Sequence, residues 1–287
     1  MIVRIAACRA ILASVTLLLF QSDALAKCTD DWLAIDQIRD GERVELRATN
    51  QQEYPITYRV RVRSDVIESR RGKTVTGTLN GEETEQVMVL AGEGTGEAPS
   101  VRISCAWTIG DNDAVHDDDH LYLLPYESGT SYRVLQGFGS RFSHTGIEQY
   151  AVDFKMDVGT PVHAARGGVV ARVVEEHNIG CWEDGCGRYA NFIVIMHDDG
   201  TTGEYYHLQQ NGSLVDVGEE VAAGQHIGFS GNTGHTTMPH LHFAVYIATK
   251  GARPQSVPVS FISADGVVYR PRRGHHYLAV NRQQAGD

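Results

Sequence analysis

What most limits the folding of this chain is how short its apolar runs are and how often glycine interrupts them. Val217-Gly218-Glu219-Glu220-Val221-Ala222-Ala223-Gly224-Gln225-His226-Ile227-Gly228 is typical of the second half, and Gly159-Thr160-Pro161-Val162 and Gly167-Gly168-Val169-Val170 repeat the pattern. A glycine inside a helix costs about 1 kcal/mol relative to alanine, and neither half holds a helical apolar period long enough to offset that. These pieces read as a tightly turned antiparallel sheet. The first half carries a different signal. Val44-Glu45-Leu46-Arg47-Ala48, Ile56-Thr57-Tyr58-Arg59-Val60-Arg61-Val62, Thr74 to Leu79, Gln86 to Leu90 and Val101 to Trp107 alternate with period two between Gly and Asn clusters. The expected fold class is all-β: a small N-terminal β-sandwich followed by an antiparallel β-sheet domain.

The N-terminus is excluded from that fold. Arg4 and Arg9 precede an apolar run from Ala10 to Phe20, and Ala24-Leu25-Ala26 supplies the small residues of an export cleavage site, so residues 1–26 read as a signal peptide. Lipidation of Cys28 is the rival reading of Leu25-Ala26-Lys27-Cys28, but Lys27 stands where that pattern needs a small residue. No other segment is long and apolar enough to span a bilayer. The expected location is therefore periplasmic or secreted, with no integral membrane span in the mature chain. Cysteine usage agrees. Once Cys8 leaves with the signal, Cys28, Cys105, Cys181 and Cys186 form an even set. The expected pairs are Cys181–Cys186 and Cys28–Cys105. A formal charge of -11 from 25 basic and 36 acidic residues argues against a nucleic-acid partner.

The chain has 287 residues, enough for two compact domains. The expected division is an accessory β domain over 27–115, a linker over 116–124 and a second domain over 125–287 that ends in an extension. His116-Asp117-Asp118-Asp119-His120 packs three carboxylates between two imidazoles. Consecutive side chains rarely converge on one ion, so this run reads as a solvated acidic linker.

Chemistry concentrates in Pro239-His240-Leu241-His242-Phe243-Ala244-Val245-Tyr246-Ile247. As a strand it puts Leu241, Phe243, Val245 and Ile247 on one face and His240, His242, Ala244 and Tyr246 on the other. The two imidazoles then start roughly 6.6 Å apart, at about 3.3 Å per residue. That distance suits a shared metal, two sides of a bound substrate, or merely two surface histidines. Other groups accompany them in order: Ser143-His144-Thr145-Gly146, Tyr150-Ala151-Val152-Asp153-Phe154, Gly159-Thr160-Pro161-Val162, Tyr205-Tyr206-His207-Leu208, and Thr233-Gly234. Across about residues 121–260 this ordered set resembles the lysostaphin/LytM-type zinc endopeptidases, which cut peptide cross-links of the bacterial cell wall.

The resemblance implies zinc as cofactor, with His144, Asp153 and His242 as ligands and a fourth position left for water. It also implies His240 as general base and His207 as the group that stabilises the oxyanion. The implied substrate is peptidoglycan stem peptides or their cross-bridges. Two positions depart from the family pattern. The first His and the Asp are usually four apart, but the residue four before Asp153 is Gln149, a poor zinc ligand, and His144 lies nine positions before Asp153. A five-residue insertion is the expected explanation, with the 147–152 segment looped out. Without that loop, the domain would be a degenerate wall-binding or hydrolase-activating module, the alternative function. The second departure is Met238, where the family usually has Gly. Two further classes fail: Gly228-Phe229-Ser230-Gly231-Asn232 lacks the last Gly of a nucleophile elbow, and no Lys lies between Met156 and Thr249 to serve a lipoyl or biotinyl carrier.

Overall fold

A computed structural model describes residues 26–27, 32–92, 94 and 96–281. The expected signal peptide, apart from its last residue Ala26, and Cys28 with its proposed lipidation lie outside the described residues. The N-terminal region contributes β1 (Ala26–Lys27), β2 (Leu33–Asp40), β3 (Arg43–Asn50), β4 (Ile56–Ser64), β5 (Lys73–Leu79), β6 (Thr84–Ala91) and β7 (Val101–Ile109). They form two antiparallel sheets, ordered β1-β2-β3-β6 and β5-β4-β7. The alternation explains why. Val44, Leu46 and Ala48 from one sheet and Ile56, Tyr58, Val60 and Val62 from the other are all buried in one cluster. Each large apolar side chain removed from water contributes about 1.5–3 kcal/mol. Cys105 is disulfide-bonded; Cys28, its expected partner, is outside the described residues.

Next come β8 (Leu121–Leu123), β9 (Ser131–Gln136), β10 (Val152–Phe154), β11 (Pro161–His163), β12 (Gly168–Val174), β13 (Gly180–Cys181), β14 (Phe192–Met196) and β15 (Thr202–Tyr206). The rest are β16 (Leu208–Ser213), β17 (Glu220–Val221), β18 (His226–Ser230), β19 (Gly234–His235), β20 (Leu241–Thr249), β21 (Arg253–Val257), β22 (Ser260–Ser263), β23 (Gly266–Val268) and β24 (His276–Leu278). The main sheet runs β17-β12-β14-β15-β20-β10-β9-β24, with β21 also paired to β20. On one face Leu241, Phe243 and Val245 sink into a core with Phe154, Tyr205 and Phe261. The opposite face carries Asp153 and His242 near the middle of the sheet and the apolar Ala171 and Val194 on β12 and β14. Among the described residues the helical turns are short 3₁₀ segments at Gly146–Glu148 and Cys186–Tyr189. No helix there is long and apolar enough to cross a membrane.

The acidic linker differs from expectation in one respect. Asp117, Asp118 and Asp119 are exposed, but His116 is docked rather than solvated. Its Nε2 lies 3.3 Å from the Tyr122 hydroxyl, and its Nδ1 lies 2.8 Å from Asp118. Arg166, itself buried, donates to that same hydroxyl at 3.1 Å and to Asp199 at 2.7 Å, while the Asp117 amide donates to Asp199 at 3.1 Å. Buried donors need acceptors; Asp199 and the Tyr122 hydroxyl serve Arg166, and both also bind the linker. Its charge pattern carried no sign of that long-range demand.

The N-terminal region rests on this second face of the main sheet, on β12 and β14. Ala171 and Val194 belong to its core cluster. Trp32 and Trp107 stack with ring centroids 4.9 Å apart, and the Arg172 guanidinium lies over both and over Phe192.

Candidate metal centre and cleft

Strand register assembles the centre. Asp153 on β10 pairs with Gln136 on β9 and with His242 on β20, and His242 pairs with Tyr206 on β15. Directly paired residues share a face, so these four side chains form one row across the sheet. His144 joins from the loop between β9 and β10. Its Nε2 lies 3.2 Å from Asp153 Oδ1, and its Nδ1 lies 3.2 Å from the Gly137 carbonyl. His242 Nδ1 lies 2.9 Å from the same carboxylate oxygen. Among the described residues, His144, Asp153 and His242 form the group whose donor atoms could hold a metal ion, all within 4.8 Å of one another.

The long gap between His144 and Asp153 is absorbed by a compact turn. The 3₁₀ segment Gly146–Glu148 starts with Gly146 at φ +60, and the Ala151 amide closes it by donating to Glu148 O at 3.0 Å. Gln149 is exposed, and its carbonyl accepts from the Gly139 amide at 2.7 Å. It is not brought to the centre. Gln136 braces the loop from below: its Nε2 donates to Ser143 Oγ at 2.8 Å and to Asp153 Oδ2 at 2.6 Å, and its Oε1 accepts from Ser140 at 2.9 Å.

His207 and His240 stand beside the centre with ring centroids 4.5 Å apart. Each donates its Nδ1–H to a backbone carbonyl at 2.7 Å, His207 to Thr233 and His240 to Met238. A carbonyl can only accept, so the neutral rings carry no proton on Nε2. His240 Nε2 lies 3.8 Å from Asp153 Oδ1. His207 follows the last residue of β15 at φ +67, a left-handed value uncommon outside glycine. A buried polar knot holds it there. Asn191 receives the Leu208 amide and donates to the His177 carbonyl, and the Thr233 hydroxyl accepts from the Asn191 amide and donates to the Leu208 carbonyl. Gly234 is required beside it: at φ +84, a Cβ would fall 2.6 Å from that of Ala190.

The environments split the titration of these groups. Burial would lower His242, but the Asp153 hydrogen bond and the Glu148 contact raise it to about 10. Burial lowers His207 to about 3, reinforced by His240 and His242. His240 is lowered too, mainly by burial. Burial opposes ionisation of Asp153, yet its bonds to His144 and His242 hold it well below the usual carboxylate range. Glu204 goes the other way: burial raises it to about 7 despite hydrogen bonds from Tyr206 and Thr202.

A cleft of about 650 Å³ surrounds these residues. Trp182, on the loop closed by the Cys181–Cys186 disulfide, stacks on Phe142 with centroids 5.2 Å apart and leans on His235 at 4.1 Å. Phe142 hangs from the β9–β10 connection and Trp182 from the β12–β14 connection, so the loops meet over the strands between. Met238 is 44% exposed and lines the same cleft. His163 is the last residue of β11, and His197 directly follows β14.

The sequence reading missed Glu148. Its Oε2 lies 3.4 Å from His242 Nε2 and accepts from the Tyr246 hydroxyl. A signal was present, because Glu148 follows His144 by four positions, the spacing at which an acidic ligand is normally sought.

The donor chemistry fits zinc. Two imidazoles and one carboxylate are the usual partners of a catalytic zinc ion, and bonds of about 2.0–2.2 Å place tetrahedral donors about 3.3 Å apart. The His144 and His242 contacts to Asp153, 3.2 and 2.9 Å, are close to that edge. A His, Asp, His cluster beside two further imidazoles in one cleft can support metal-assisted hydrolysis. Residues 148–254 match the profile of Peptidase family M23. The chain is 33% identical over 126 residues to peptidoglycan DD-endopeptidase ShyA of Vibrio cholerae, covering 42% of this chain and 26% of that protein. It is 33% identical over 154 residues to lysostaphin of Staphylococcus simulans, covering 53% and 28%. The solved catalytic domain of lysostaphin from Staphylococcus simulans is 34% identical, covering 44% of this chain and 88% of that one, with a TM-score of 0.33. The chain thus spans less than a third of the length of these curated relatives.

Proposed function

We propose that this protein is an exported, zinc-dependent endopeptidase that hydrolyses amide bonds in peptidoglycan stem peptides or cross-bridges. The observation that carries the reading is the return of His144 to Asp153 and His242 across a nine-position gap. His144 Nε2, Asp153 Oδ1 and His242 Nδ1 would hold the zinc. Bound there, it supplies the Lewis acidity that makes water a nucleophile near neutral pH. His240 would accept the proton of the attacking water on its Nε2, which the Nδ1–H bond to Met238 O leaves unprotonated. His207 is assigned to the developing oxyanion: its neutral ring, with Nδ1–H on Thr233 O, has no proton to offer there, so the role calls for the imidazolium, which the oxyanion's negative charge would favour against burial. The proton then passes to the leaving amine. Peptidoglycan as substrate is supported by the names of the relatives.

The test is release of free amino groups from purified peptidoglycan by residues 27–287. Activity should vanish with a chelator, return with zinc, and be absent in His240→Ala. The non-catalytic alternative predicts wall-fragment binding that survives metal removal, with no amine released in any sample.

A further inference from the structure

We propose that Glu148 is the positioning residue for His242: its carboxylate fixes which nitrogen of that ring faces Asp153 and His144. This rests on the metal site proposed above. His242 is contacted on both nitrogens, with Nδ1 2.9 Å from Asp153 and Nε2 3.4 Å from Glu148. A ring satisfied on one nitrogen can turn over and present carbon where a donor is needed. Held by acceptors on opposite sides, it has one orientation that meets both demands, and leaving a buried N–H without an acceptor costs about 1–3 kcal/mol. A carboxylate behind a metal-binding histidine also makes it a better donor.

The fold builds this contact deliberately into the inserted turn. His242, Ala244 and Tyr246 share one face of β20, and Ala244 contributes only a methyl, so Glu148 has room between the two larger groups. Tyr246 donates its hydroxyl to the Glu148 carboxylate. The turn is stapled to β21, where Gln255 Nε2 donates to Gly146 O at 3.2 Å and the Tyr150 amide donates to Ser256 Oγ at 3.0 Å. Glu148 therefore occupies the spacing of an acidic ligand but stands across the His242 ring from Asp153.

The experiment is zinc affinity of the folded chain, measured by competition with a chromogenic chelator, alongside melting of the metal-free protein. Glu148→Gln keeps size and an acceptor for Tyr246, and should weaken zinc about 10–100-fold with metal-free melting unchanged. Tyr246→Phe, which removes only the brace on Glu148, should show a smaller loss. A purely structural role predicts the reverse pattern, a lower melting temperature with undiminished affinity. Unchanged affinity in Glu148→Gln overturns this inference alone. Should that variant fail to fold, unchanged affinity in Tyr246→Phe overturns it. A wild-type chain that takes up no zinc removes both the metal site and the inference.

Discussion

His144 and His242 face a carboxylate, whereas His207 and His240 are anchored by backbone carbonyls, though all four imidazoles share one cleft. The anchors give the two pairs different chemistry. A carboxylate stabilises the charged ring, as in His242, raised to about 10 despite burial. A carbonyl fixes the tautomer without supplying a full charge, so burial dominates in His207, lowered to about 3. The negative charge of Asp153 that favours a charged His242 ring would equally favour a cation bound between His144 and His242, while the second pair keeps Nε2 free of a proton.

Substitutions on each side of that comparison should separate metal retention from turnover. The largest effect is expected for His242→Ala, which should lose both stoichiometric zinc by elemental analysis and all amine release. His240→Ala should retain zinc while turnover falls about 10²–10⁴-fold, the usual contribution of a general base. His207→Ala should also retain zinc and lose about 10²–10³-fold, as expected for a lost oxyanion donor. Zinc loss in either of these two would break the division.

A subtler contrast lies in acid stability of the metal-free chain. Above the ordinary histidine value of 6.5, His207 is neutral in both folded and unfolded states and contributes nothing to pH dependence. As pH falls below it, the unfolded chain binds a proton that the folded site refuses until about 3, so stability declines across that window. His207→Ala should flatten this decline in denaturant titrations between those limits. An equally steep decline would contradict the buried, neutral state of the ring.

Much of this was legible in the sequence where the information is local. The two faces of Leu241–Thr249 follow from period-two alternation, and the strands from Val44 onward follow from the same rule. The Cys181–Cys186 bridge was readable from its short loop. What escaped was nonlocal. Asn191 is fully buried and holds the His207 bend through Leu208 and Thr233, yet in sequence it is one polar residue before a strand. Docking of His116 and the Trp32–Trp107 contact with Arg172 likewise depend on which surfaces meet after folding. Glu148 is hidden for a different reason: four positions back from Asp153 lies Gln149, whereas Glu148 stands four positions forward from His144.

The central claim is that His144, and not the residue at the ordinary spacing before Asp153, completes the metal centre. Zinc content of His144→Ala and Gln149→Ala, measured side by side after dialysis against a weak chelator, tests it most directly. The geometry predicts one zinc per chain in Gln149→Ala and none in His144→Ala. The opposite pattern would contradict the account.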